Sequence, residues 1–208
     1  MLNDFSDLTG LQIDALREIG NIGSGNAATA LATMLNSKID MSVPQISILP
    51  FSDVPDTVGG ADTLVVGIFL KVHGSENANA NILFLMSIER ALLLVDLLMG
   101  RNPGETQEFG EIEISAMQEI GNIIAGTYLN ALAMFTNLTL LPSVPALGID
   151  MAGALIDAVL AQFGEIGDYV LLLETQFIKG SQDVIGHFFL LPEPGALDTI
   201  LNALGVSF

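Results

Sequence analysis

Ile13-Asp14-Ala15-Leu16-Arg17-Glu18-Ile19-Gly20-Asn21-Ile22 returns later in the chain as Ile114-Ser115-Ala116-Met117-Gln118-Glu119-Ile120-Gly121-Asn122-Ile123. The offset is a constant 101 residues, from Glu18 to Glu119 and from Asn21 to Asn122. Over 13–32 and 114–133, 11 of 20 positions are identical, too many for coincidence. A proline follows each copy at the same distance, Pro44 and Pro145. Repetition at a fixed spacing marks a duplicated unit. Both copies keep a polar Glu-x-x-Asn pair, so that pair is the first candidate for chemistry.

Working outward, Leu8–Leu35 reads as a long helix, with Asp7 or Thr9 as its N-cap. Lys38–Pro50 alternates as a strand interrupted by Pro44, and Ser52–Asp62 reads as a loop rich in Pro, Gly and Asp. Thr63–His73 and Asn79–Met86 form a predicted antiparallel hairpin turning at Gly74–Asn77, and Ile88–Met99 an apolar helix. Gly100–Gly110 links the halves. The second half repeats the order: helix Ile112–Phe135, strand Leu138–Leu147 with Pro145 inside it, hairpin strands Tyr169–Phe177 and Asp183–Leu191, and helix Gly195–Leu204. Met151–Phe163 reads as an extra apolar helix without a counterpart. The expected fold is α/β of the α+β type. A helix–strand–hairpin–helix unit, duplicated about a pseudo-two-fold, gives an antiparallel-rich sheet with long helices packed on it. A single domain is expected, with pseudo-repeat halves at about 8–100 and 110–205.

Composition narrows the function. The 208 residues are 50% apolar, enough for a sizeable core. Six Lys and Arg against 24 Asp and Glu leave a formal charge of −18. That sign disfavours nucleic acid and anionic membrane as partners. There is no cysteine, which excludes disulfides and thiolate chemistry and fits a reducing compartment. The mean hydropathy of +0.58 is high, yet the most apolar runs are short and carry Asp96 and Asp157. Neither a membrane span nor a signal peptide is expected, and a cytoplasmic location follows.

An α-helix advances ~100° per residue, which puts Glu18, Asn21 and Gly25 within about 40° of Asp14. Ile19, Gly23, Ala27 and Ala30 fall on the opposite, core-facing side. Ser115, Glu119, Asn122 and Gly126 repeat the stripe. A glycine one turn beyond the asparagine allows another molecule's backbone to approach. A polar face on one helix is usually solvated surface. The duplication weighs against that reading: Arg17 became Gln118 and Asn26 became Thr127, while Glu and Asn stayed. Asparagine is also a poor mid-helix residue, costing ~0.6 kcal/mol against alanine.

Chemically, an asparagine amide offers one acceptor and two donors in a fixed plane. It can hold a water in line for attack, as a glutamine does in GTPases. A carboxylate one turn away can pair with a cation of the molecule that carries the scissile group. The set suits hydrolysis of an activated phosphoryl group whose metal and charge clamp come from a partner. Competing motifs are weak. Gly23-Ser24-Gly25-Asn26-Ala27-Ala28 matches a dinucleotide fingerprint but lies inside a predicted helix, and the second copy loses it. No metal site of the chain's own is expected.

These residues resemble the CheC/CheX/FliY family of chemotaxis phosphatases. The family signature is Asp or Ser, three residues, Glu, two residues, Asn, 22 residues, and a proline. Asp14, Glu18, Asn21 and Pro44 match it, and so do Ser115, Glu119, Asn122 and Pro145. Two motifs over nearly the whole chain look most like the CheC class. The resemblance implies hydrolysis of the phospho-aspartate of the response regulator CheY, in two equivalent sites. Asn21 and Asn122 would position water, Glu18 and Glu119 would pair with CheY's active-site lysine, and the Mg²⁺ would be CheY's own. Asp14, Ser115, Gly25, Gly126, Pro44 and Pro145 would support them. The class also implies binding to CheD, the receptor deamidase, and a second reading follows, of a non-catalytic adaptor that binds CheD and CheY. Asp150, expected as cap or first-turn acid of the extra helix, is the candidate CheD contact. With −18 on the chain, docking should rest on local apolar contact plus the Glu–Lys and Mg²⁺ attractions.

Overall fold

The computed structural model describes residues 8–35, 38–163, 169–180 and 182–206. Helix α1 spans Gly10–Leu35 and helix α3 spans Glu111–Thr136, each 26 residues long. Their N-termini are built alike. Gln12, in the first turn of α1, accepts from Thr9 N at 2.8 Å, and Glu113, in the first turn of α3, accepts from Gly110 N at 3.0 Å. Each side chain satisfies a helix-entry N–H that would otherwise lack a partner. Thr9 is thus the residue that opens α1, and Asp7 lies outside the described residues.

Among the described residues seven strands form one sheet, in the order β1-β6-β7-β3-β2-β4, with β5 also pairing β2. Their ranges are β1 Asp40–Pro50, β2 Leu64–Gly74, β3 Ala80–Ser87, β4 Leu140–Pro142, β5 Ala146–Met151, β6 Tyr169–Lys179 and β7 Gln182–Pro192. Every pairing is antiparallel. The two hairpins, β2–β3 and β6–β7, meet at the centre through β3 and β7. The strand after each long helix crosses to the other half: β1 lies on β6, and β4 and β5 lie on β2. Neither half completes its own share of the sheet.

Side chains alternate between two cores. Ile82, Phe84 and Met86 of β3 face α1, α3, α2 (Ile88–Met99) and α5 (Ala196–Ala203). Leu83 and Leu85 face the other way, onto α4 (Ala152–Phe163) and a 3-10 helix at Phe51–Val58. The sheet is therefore covered on both sides.

Three expectations are corrected here. Ser52–Asp62 is not wholly a loop: Phe51–Val58 is helical, burying Phe51, Val54 and Val58, and it gives the extra helix a shorter counterpart at the same offset. Helix α4 packs on the sheet, its Leu155 side chain lying over the cross-strand pair Gly67 and Gly148, where added Cβ atoms would come within 2.8 and 3.0 Å of it. Leu138–Leu147 is not one strand. It breaks at 143–145 into β4 and β5, between Pro142 and Pro145, two residues without an N–H for a ladder where the first half has only Pro44. In the first half β1 passes the same point unbroken, with only a register shift between Ser42 and Gln45. Asp150, finally, is a strand residue opposite Val65, and its carboxylate accepts from Met151 N at 2.8 Å. The helix begins at Ala152, so Asp150 neither caps it nor stands in its first turn.

Candidate functional site

The helical phase places the repeated residues as the spacing predicts. Asp14, Glu18, Asn21 and Gly25 are exposed on α1, while Leu16, Ile19, Gly23 and Ala27 are buried. On α3, Ser115, Glu119 and Asn122 are exposed and Gly126 is half-buried. Among the described residues no hydrogen bond or ion pair engages the side chains of Glu18, Asn21, Glu119 or Asn122; Asn21 accepts from Ser24 Oγ at 2.8 Å only through its backbone carbonyl. Four polar side chains are thus held on two rigid helices and left free to bind something else.

The glycines sort into two kinds. At Gly20 an added Cβ would lie 3.0 Å from Leu173 Cδ2, and at Gly121 it would lie 2.6 Å from Ile68 Cγ2. Those two let the helices settle on the sheet. At Gly25 and Gly126 an added Cβ would meet nothing within 4 Å. Neither position needs glycine for packing, yet a mid-helix glycine costs ~1 kcal/mol against alanine.

Gly23 and Tyr128 explain the divergence between the copies. A Cβ at Gly23 would sit 2.5 Å from Tyr128 Cδ1, so the tyrosine fills the space the glycine leaves where α1 and α3 cross. Tyr128 packs on Phe188 with the rings tilted at 38° and their centroids 4.8 Å apart. Burial pushes its hydroxyl up to about 12, partly offset by the neighbouring Thr175 hydroxyl. The change from Ala27 to Tyr128 is a packing change, away from the exposed stripe.

Around the stripes the two sites differ. On α1, Arg17 holds the Asp14 carboxylate at 2.8 Å, an exposed pair that contributes little to stability. On α3, Gln118 instead donates to the Pro145 carbonyl at 3.5 Å and ties the helix to the break between β4 and β5. Ser115, Gln118, Glu119 and Asn122 then line a cleft of about 420 Å³ with Pro142, Ser143, Val144 and Pro145. The ring of Pro44, the matching residue of the first site, lies outside the described side chains. Asp150 is well separated in the fold, on the sheet edge beside α4. Sequence reasoning missed Gln118 and Val144 as parts of the second site. The proline signal at 145 pointed to the segment without showing that it forms a wall.

Comparison with known proteins places this geometry. The model of the CheC-like family matches residues 11–48 and 112–149, the two stripes with the strands that follow them. The chain is 38% identical to the CheY-P phosphatase CheC of Bacillus subtilis (strain 168) over 207 residues, 98% of each chain. This chain belongs to the CheC-like family. It is also 32% identical to the flagellar motor switch phosphatase FliY of Bacillus subtilis (strain 168) over 125 residues, 60% of this chain and 32% of FliY. The fold is shared with Thermotoga maritima FliY, with a TM-score of 0.73 at 23% identity, covering 96% and 98% of the two chains. The expected mixture of helices with an antiparallel sheet holds. Similarity of this extent to a curated phosphatase makes the chain a phosphatase and so a hydrolase. No helix among the described residues is long and apolar enough to cross a membrane. Nor does any group of three or more His, Asp or Glu among them stand where it could hold a metal ion.

Proposed function

We propose that this chain is a chemotaxis phosphatase that hydrolyses the phospho-aspartate of CheY at two sites, Glu18 with Asn21 and Glu119 with Asn122. One observation carries the reading: on both long helices the Glu and Asn side chains point outward, unpartnered among the described residues, beside a glycine that packing does not require.

Asn21 or Asn122 binds a water through its amide and aligns it with the phosphorus–carboxylate bond. The water oxygen attacks phosphorus, that bond breaks, and inorganic phosphate and a free aspartate carboxylate leave. Glu18 or Glu119 pairs with the lysine beside CheY's phosphorylated aspartate and fixes the register of docking. Charge neutralisation comes from the Mg²⁺ that CheY itself holds, and the chain supplies position. Gly25 and Gly126 admit CheY's backbone close to the helix. Asp14, with its Arg17 pair, and Ser115 border the stripes at their N-terminal ends, and Pro145 shapes the wall that faces the second. Since CheY is a cytoplasmic regulator, so is this protein.

Phosphorylated CheY incubated with a tenth of its concentration of this protein should lose phosphate in many turnovers per site. Stoichiometric binding without release would instead favour the adaptor reading. CheD is assigned to the surface around Asp150, at the end of β5, where the neighbouring pair Met151 and Leu64 is exposed at 51% and 46%. Asp150→Lys should weaken CheD binding at least tenfold while CheY dephosphorylation proceeds at the wild-type rate. Unchanged CheD affinity would remove the assignment.

A further inference from the structure

The two sites share their stripes but not their facing walls. Val43, beside the proline of the first copy, is 6% exposed within the unbroken strand β1. Val144, its counterpart 101 residues on, is 87% exposed in the break between β4 and β5. Loose loops often leave an apolar side chain in water, but this segment is tied down on both sides of the valine. Ser143 N donates to Lys71 O at 2.8 Å, and Lys71 N donates to Ser143 Oγ at 3.0 Å. Gln118 then holds the Pro145 carbonyl from α3. Val144 stands at the lip of the cleft whose other wall carries Glu119 and Asn122.

We propose that Val144 is a docking residue for phosphorylated CheY and makes the second site the tighter of the two. The inference rests on the function proposed above. Its physical basis is charge. A chain of net −18 gains no general attraction for an anionic phosphoryl surface. Affinity must come from apolar contact made beside the reacting group, and a rigidly presented side chain loses little freedom on binding. Val144 meets both requirements, and the first site has no counterpart because Val43 is spent on the core. The valine positions the partner and takes no part in bond breaking.

The test is calorimetric titration of beryllofluoride-activated CheY into the full chain, which reads docking without turnover. Wild type should show two classes of site differing at least fivefold in affinity. Val144→Ser should weaken the tighter class by roughly fivefold, the loss of one buried apolar group, and Val144→Ile should restore it. An exposed valine is not needed for folding, so the melting temperature should stay in place. Two equal sites in wild type, or unchanged affinity in Val144→Ser, would overturn the proposal. Binding as expected without any phosphate release would leave the lip standing and reject the phosphatase reading instead.

Discussion

Gly25 and Gly126 stand on outward helix faces where a Cβ would meet nothing in the chain. Alanine there should raise helix stability by about 1 kcal/mol per site. If the glycines exist to admit CheY, the same change should cost at least tenfold in dephosphorylation rate. A double Gly25→Ala, Gly126→Ala variant would therefore melt higher and work worse, as thermal denaturation and a CheY dephosphorylation assay would show together. A variant both more stable and fully active would contradict the role. Gly121→Ala should do the reverse and destabilise by about 1–3 kcal/mol, because the new Cβ would come within 2.6 Å of Ile68. The stripe itself was legible in the sequence, since helical phase is local and the Glu-x-x-Asn pair repeats. The distinction between Gly20 and Gly25 was not. Both are repeated glycines, and only the neighbours supplied by the sheet tell them apart.

At the scale of elements, β7 carries a titration that the mechanism does not use. His187 is 8% exposed between Glu174 of β6 and Leu85 of β3, with Nδ1 unpartnered among the described residues. Burial, reinforced by the nearby Arg90 charge, lowers its pKa to about 4, against a partial offset from the Leu85 backbone. The folded chain therefore keeps the ring neutral where the unfolded chain protonates it. Stability is fully present above the ordinary histidine value of about 6.5 and is lost as pH falls from there towards about 4. The loss should reach roughly 2 kcal/mol, part of the effect being screened by solvent. His187→Gln should flatten that part of the profile in denaturant titrations at pH 7 and pH 4.5. An identical pH dependence in both proteins would contradict it. The element order was largely readable, because apolar period and turn residues agree over both hairpins and both long helices. The 3-10 helix was hidden by Pro55 and Gly59, which read as loop, although Phe51, Val54 and Val58 already carried a helical spacing. The break at Pro145 could not be foreseen, since the matching Pro44 sits in a strand that continues.

Across the whole molecule, the decisive feature is that each half lends a strand to the other. Consecutive strands usually pair as neighbours, which would put β1 beside β2. Instead β1 pairs with β6, through contacts such as Ile46 to Leu173 that lie more than a hundred residues apart. Pairing choice of this range leaves no local signature. The consequence is mechanical unity. Residues 8–103 and 104–206 expressed separately should not fold as monomers, while the two fragments mixed should regain the circular dichroism of the intact chain. Cooperative unfolding of either fragment alone as a monomer would contradict the strand exchange. The interlocked sheet also holds both Glu/Asn stripes within one chain.

The most direct measurement of the central claim is the decay of phosphorylated CheY with wild type, Asn21→Ala, Asn122→Ala and the double variant, each checked for folding by circular dichroism. Both asparagines are exposed, so the variants should fold as wild type does. Acceleration should fall in each single variant, more steeply for Asn122→Ala, and vanish in the double. A folded double variant that dephosphorylates CheY as fast as wild type would show that these asparagines do not position the water.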